Sequence, residues 1–292
     1  MSQYPFRVGI VHSMAFPEVL DGEGPIVETA RVILEDSFFG AIEVSGIKDS
    51  NVRRSLASML SSFDFRVVFC AGGNIIRRGA DLNSLEPEVR RQALMFTRGL
   101  VDQAKELGAE IFVLCSGPDP GPAVRSRAAS ALADSMVDLA DYAGDDILVS
   151  LESFDRDVDK RRLVGPTQEA VELVAEVRKR VGNVGLTIDL SHLPLLKERA
   201  TTSLAVAKDV LAHSHIGNCM PDADSHPKFG VPGGCNGVPE LRDFLGALRS
   251  IGYFDRPSPI VSFEVKPAAG ERSEAVIAQS KDVLKEAMGG LT

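Results

Sequence analysis

The chain has no tryptophan, three tyrosines and four cysteines in 292 residues. It also has no dense run of lysine and arginine. Each scarcity excludes something. Cys70, Cys115, Cys219 and Cys235 are too few for the disulfide framework of a small secreted domain, and no pair has zinc-knuckle spacing. Cys70 and Cys115 lie in apolar runs and are expected to be reduced core residues. A formal net charge of −9 disfavours a nucleic-acid backbone as partner. No apolar run approaches the roughly 20 residues of a membrane helix, so no membrane is expected as partner. The opening MSQYPFRVGIVHS lacks a basic segment followed by an apolar stretch. No signal peptide is therefore expected, and the cytoplasm is the default location.

What is present is the balance of a soluble globular protein, 44% hydrophobic and 25% charged. Short apolar, β-branched runs alternate with amphipathic segments. The expected strands are Arg7–Val11, Ala41–Val44, Arg66–Cys70, Ile111–Cys115, Ile147–Leu151, Gly185–Ile188, Ser214–Ile216 and Ile260–Phe263. Their continuous apolar character suits strands buried on both faces of a parallel sheet. The segments PIVETARVILED, SNVRRSLASML, PEVRRQALMFTRGLVDQAKELG and AVRSRAASALADSMVDLADYAG read as helices. So do PTQEAVELVAEVRKRVG, TSLAVAKDVLA, PELRDFLGALRSIG and SEAVIAQSKDVLKEAMGG. Eight strands alternating with eight helices give an α/β fold, a (β/α)8 TIM barrel in a single domain over residues 1–292. The alternative, an open doubly wound sheet, usually carries a glycine-rich loop after its first strand. Here that strand ends in HSMAFP. Two long loops stand out: 153–165 after the fifth strand and 218–238 after the seventh. Loops of this length are more often functional than idle.

In such barrels the loops after the strands build the active site. The fifth strand ends in SLE (Glu152), the sixth in TID (Asp189), the seventh in HSHIGN (His215) and the eighth in SFE (Glu264). Any one such carboxylate is more often a helix cap or a solvated group. Ligand-type residues at the same end of four consecutive strands point instead to one bound divalent metal ion. Three carboxylates and an imidazole suit Mn²⁺ first, with Mg²⁺, Co²⁺ and Zn²⁺ as alternatives. His213 lies two residues before His215 on the same face; His215 is preferred because it is nearer the strand's exit. Further substrate-binding candidates are His12 at the end of the first strand, Asn218 and His226 in the long loop, and Lys160 in the other loop. Lys266, two residues after Glu264, is another. Arg161, Glu43 and an apolar wall from Phe16, Phe154 or Phe229 are weaker candidates. For each, a local hydrogen bond, a solvated charge or plain core is the plainer reading.

The order Glu152, Asp189, His215, Glu264 on strands five to eight resembles the xylose-isomerase-like TIM barrels. TIDLSHLP strengthens the likeness, because it repeats the Asp-x-x-His spacing of ketose 3-epimerases and places His192 beside Asp189. The group holds sugar isomerases and epimerases, inosose dehydratases and endonuclease IV-type repair enzymes. The resemblance implies a metal-dependent isomerase or epimerase of a small sugar or sugar derivative. Proton transfer would occur beside a carbonyl through a metal-stabilised enediolate, with Glu152 and Glu264 as general base and acid. His192 would donate a hydrogen bond to a substrate oxygen. It also implies a dimer or tetramer. One departure is Pro221, where 3-epimerases usually carry arginine six residues after the metal-binding histidine. The alternative is a metal-dependent lyase, dehydratase or C-deglycosidase-like enzyme acting on a keto-sugar or keto-glycoside; for the last of these a different subunit is conceivable. An endonuclease IV-like activity is remote, since strands two and three end without histidine. A sugar-binding barrel without activity would not need the intact quartet.

Overall fold

The structure is a computed structural model and describes residues 4–290. Its strands are β1 (Arg7–Ile10), β2 (Ala41–Val44), β3 (Arg66–Cys70), β4 (Ile111–Cys115), β5 (Leu148–Glu152), β6 (Val184–Asp189), β7 (Leu211–Gly217) and β8 (Ile260–Glu264). All pair in parallel, in the order β1-β8-β7-β6-β5-β4-β3-β2. A bridge between Val11 and Glu43 joins β1 to β2, so the eight-stranded sheet curls into a barrel. Helices between the strands form the outer layer, as expected of a (β/α)8 fold.

The eight helices expected from the sequence are present with small boundary shifts. Asp49 caps Ser50–Leu60 by accepting from the backbone N–H groups of Asn51 and Val52, a device worth about 1 kcal/mol. The largest correction concerns TSLAVAKDVLA. The helix stops at Ala207, and the strand begins at Leu211 rather than Ser214. Leu211 and Ala212 read as helix from the sequence alone, but Leu211 pairs with Leu186 across the sheet, and that tertiary pairing decides. Three short helices, His12–Ala15, Gly72–Arg78 and Leu193–Leu196, were not expected. Segments this short carry too little periodicity to be read.

The main core lies between the barrel and its helices; stacked Phe69 and Phe112, 5.5 Å apart, are part of it. A second, small cluster of Ala41, Val68, Val113 and Ile260 fills the lower barrel interior. Above it the interior turns polar, with Ser150 hydrogen-bonded to Thr187 at 2.6 Å. An apolar floor under a polar layer keeps the charged residues at the C-terminal ends of the strands.

Candidate metal centre at the barrel mouth

Side chains alternate along a strand, so Glu152, Asp189, His215 and Glu264 all point inward at the same end. One ligand atom from each lies within 4.8 Å of every other. Nδ1 of His215 stands 3.1 Å from Glu152 Oε1 and 3.0 Å from Glu264 Oε2. The first contact is an aligned hydrogen bond. The second is not, and Glu264 Oε2 has no hydrogen-bond partner among the described residues. Asp189 is held in place by the backbone N–H of Ser191 at 2.8 Å and its hydroxyl at 2.5 Å. Asp189 and His215 are fully enclosed and Glu152 nearly so, whereas the Glu264 side chain is 12% exposed. The cluster therefore opens at Glu264.

Gly217 makes this packing possible. A Cβ there would lie 2.5 Å from the Glu264 carbonyl oxygen and 3.4 Å from His226 Nδ1. Only glycine lets the ends of β7 and β8 approach so closely.

The charges in the cluster are not balanced evenly. Burial raises the Glu152 carboxyl above its ordinary range despite nearby His215. Burial would raise Glu264 too, but the charges of His226 and His215 outweigh it and hold that carboxyl below its ordinary range. For His215, burial disfavours charge, but Glu43 and Glu152 override it and hold the imidazole well above its usual value. A proton on His215 thus partly neutralises the carboxylates. A divalent cation would do so more fully. Two ligands each about 2.1 Å from one cation sit about 3.0–3.4 Å apart, which matches the contacts around His215 Nδ1. The donor set, the spacing and the unpartnered Glu264 oxygen all fit a divalent ion.

Behind His215 lies Glu43. Its Oε1 is 2.7 Å from His213 Nε2 and its Oε2 is 3.1 Å from His215 Nε2. The His215 ring separates Glu43 from Glu152 and Glu264, so Glu43 does not present itself to a substrate. His213 engages Glu43 rather than the quartet.

Beside the quartet stands a second group. Ligand atoms of Asp189, His192 and His226 lie within 4.8 Å of one another. His192 donates from Nδ1 to the Ser153 carbonyl at 2.8 Å. Its Nε2 lies 3.4 Å from Asp224 Oδ2 and 3.7 Å from Asp189 Oδ2. Nε2 of His226 is 2.9 Å from Asp224 Oδ1 and 3.7 Å from Glu264 Oε1. His192 Nε2, His226 Nδ1 and both Asp224 carboxylate oxygens are buried without an aligned partner among the described residues. Burial would lower both histidines, but Asp224 overrides it. His192 is raised well above its ordinary value and His226 to about 9. Phe154 packs on His192 with ring centres 4.3 Å apart and forms one wall of the site. Sequence reasoning missed Asp224; the only signal was its Asp-x-His spacing to His226. It also missed that Cys70 is close enough for Glu264, Glu152 and Glu43 to add to the burial that raises its thiol.

Most of the other expected substrate contacts are engaged elsewhere. His12 shares a 2.8 Å hydrogen bond with Thr29 and is held near pKa 4 by burial, so it stays neutral. Asn218 staples the base of the long loop rather than facing the site. Its amide nitrogen donates to Lys228 O at 3.0 Å, and its oxygen accepts from the N–H groups of Cys219 at 2.9 Å and Asn236 at 2.7 Å. Lys160 donates to Asp224 O at 2.9 Å and pairs with Asp159 at 2.7 Å, tying the two long loops together behind Asp224. The Lys266 side chain has no hydrogen bond or ion pair among the described residues. Its backbone N–H donates to His226 O at 2.7 Å, bracing a histidine that adopts φ 51°. Arg161 is exposed, and Phe16 and Phe229 belong to the core.

Solved structures with the same fold cover nearly the whole chain. The IOLI protein with a bound zinc atom is 16% identical, with TM-score 0.76 over 98% of this chain and 99% of that one. D-psicose 3-epimerase from Clostridium cellulolyticum H10 is 16% identical, with TM-score 0.74 over 98% and 99%. The 3-keto-D-glucoside 4-epimerase of E. coli is 17% identical, with TM-score 0.70 over 96% and 99%. No curated protein sequence matches the chain. The sequence pattern of one family does match, over residues 37–287, and by that match the chain belongs to the xylose isomerase-like TIM barrel family.

Proposed function

We propose that this protein is a divalent-cation-dependent isomerase or epimerase of a small sugar or sugar derivative. The observation that carries the reading is the convergence of ligand atoms of Glu152, Asp189, His215 and Glu264 to within 4.8 Å of one another. These four residues would hold the ion, Mn²⁺ being the first expectation. Bound there, the cation supplies Lewis-acid polarisation of a substrate carbonyl.

The remaining chemistry belongs to the chain. In the metal-free protein Glu152 and Glu264 are pushed in opposite directions, so the two carboxyl groups are not equivalent. Glu264, nearest the opening, takes the proton from the carbon beside the carbonyl, the reverse of the base-and-acid order expected from the sequence. Glu152 returns one. His192 is fixed through Nδ1 and donates from Nε2 to a substrate oxygen. Phe154 keeps water from one side of that contact. Fold relatives named as sugar epimerases support the substrate class. The zinc in the IOLI protein supports Zn²⁺ as an alternative ion. A homo-oligomer in the cytoplasm is part of the same reading. Among the described residues no helix is long and apolar enough to cross a membrane.

A second reading, elimination or bond cleavage beside a ketone, is favoured by two features of the long loop. Pro221 stands where a ketose 3-epimerase would carry arginine. His226 forms with Asp189 and His192 a second group that could hold a cation, and Asp224 lies 2.9 Å from His226 beside it.

The test is incubation of Mn²⁺-loaded protein in D₂O with a panel of ketoses and 3-keto-sugars. The proposal predicts solvent deuterium in a product with an unchanged carbon skeleton. Loss of water or of an aglycone would favour the second reading. No exchange with any member would count against both.

A further inference from the structure

Glu43 is a carboxylate fully buried in the barrel interior, on a strand that is not a neighbour of β7. It is separated by 170 residues from His213 and by 172 from His215, yet each of its oxygens meets one imidazole nitrogen. A buried ionised carboxylate persists only if it is hydrogen-bonded, and it can only accept. Both Nε2 atoms therefore carry a hydrogen directed at Glu43. The other nitrogen of His213, Nδ1, is buried with no partner among the described residues. That suits a neutral ring protonated on Nε2 alone. With Nε2 of His215 committed to Glu43, its Nδ1 is the atom turned toward Glu152 and Glu264.

We propose that Glu43 is the positioning residue of the metal centre. It fixes the ring orientation of His215 and keeps a hydrogen on Nε2, so that a cation displacing the Nδ1 proton meets the Nδ1 lone pair. His213 braces the same carboxylate from its other oxygen. The inference rests on the cation reading given above. A competing arrangement exists, because ligand atoms of Glu43, His213 and His215 also lie within 4.8 Å of one another and could seat an ion themselves. The geometry favours the relay. Both Glu43 contacts are aligned hydrogen bonds, unlike the misaligned contacts around Asp224. A carboxylate behind a metal-bound histidine raises its basicity and fixes its orientation, and loss of such a partner typically weakens metal binding about 10- to 100-fold.

The experiment uses ¹⁵N-histidine-labelled full-length protein stripped with a chelator and then loaded with Zn²⁺. Long-range ¹H–¹⁵N spectra read the tautomer of each ring, and chelator competition reads the affinity. In the wild type, His215 is expected to keep its hydrogen on Nε2 and to show Nδ1 shifted by the metal. Glu43→Gln and Glu43→Ala should bind Zn²⁺ about 10- to 100-fold more weakly, with circular dichroism showing a folded barrel. Glu43→Asp should recover part of the loss. A wild-type His215 that binds Zn²⁺ through Nε2 would overturn the proposal without any variant. So would Glu43 variants with unchanged affinity and unchanged His215 signals, and in that case the cation reading would stand. A second Zn²⁺ lost from Glu43→Ala while the first is unaffected would overturn it in favour of a separate ion seat. No Zn²⁺ binding by the wild type would remove the reading on which it rests.

Discussion

Nε2 of His226 stands 2.9 Å from Oδ1 of Asp224, two residues upstream in the same loop. The pair brings charge from the β7 loop into the barrel mouth and has a pH consequence. In the metal-free protein His226 is raised from 6.5 to about 9. A raised histidine contributes stability that is fully present below its unfolded value and is lost as pH rises through its folded value. Its contribution should therefore fade between about pH 6.5 and pH 9, by on the order of 3 kcal/mol if nothing compensates. Urea unfolding of chelator-stripped protein across this window should show a falling midpoint, and Asp224→Asn should flatten the fall. A midpoint that does not move would contradict the charge pairing.

Glu152→Gln and Glu264→Gln each preserve shape and remove a proton carrier. Turnover should fall about 10²- to 10⁴-fold in each. Steady-state kinetics on whichever substrate the deuterium screen identifies would check this. Near-normal turnover in either variant would remove that residue from the acid–base pair.

Gly217→Ala tests how closely the site is packed. The new methyl would lie 2.5 Å from the Glu264 backbone oxygen, which cannot swing aside like a side chain. Stability should drop by about 1–3 kcal/mol through overpacking, and Zn²⁺ affinity should fall as Glu264 is displaced. Urea unfolding and chelator competition read the two effects separately.

Asn218→Ala removes a loop staple that sequence reading had assigned to the substrate. Two backbone donors, on Cys219 and Asn236, lose their acceptor. The cost should be about 1–3 kcal/mol. Hydrogen exchange should rise at those two amides first. A change confined to KM, with exchange and stability untouched, would restore the substrate-binding role.

The quartet was legible because it follows from rules local to each strand. An apolar run that ends in a carboxylate or histidine at the mouth of a parallel barrel fixes both the face and the end of that residue. Glu43 lies one residue before the end of the same kind of run, but its partners lie 170 and 172 residues away, and nothing local announces them. Asp224 lies in an irregular loop, where no period says which way a side chain points. Lys160 looked free for a substrate because its partners, Asp159 and Asp224, include one from a different loop. The start of β7 was misread for a related reason, since Leu211 and Ala212 suit helix or strand until the sheet chooses.

The central claim is that Glu152, Asp189, His215 and Glu264 hold a divalent cation. Titration of chelator-stripped protein with Mn²⁺, with free Mn²⁺ followed by electron paramagnetic resonance, tests it most directly. At least one tight Mn²⁺ per chain is expected in the wild type, with that site lost in Asp189→Ala while the barrel remains folded. Absence of binding in the wild type, or unchanged binding in the folded variant, would contradict the account.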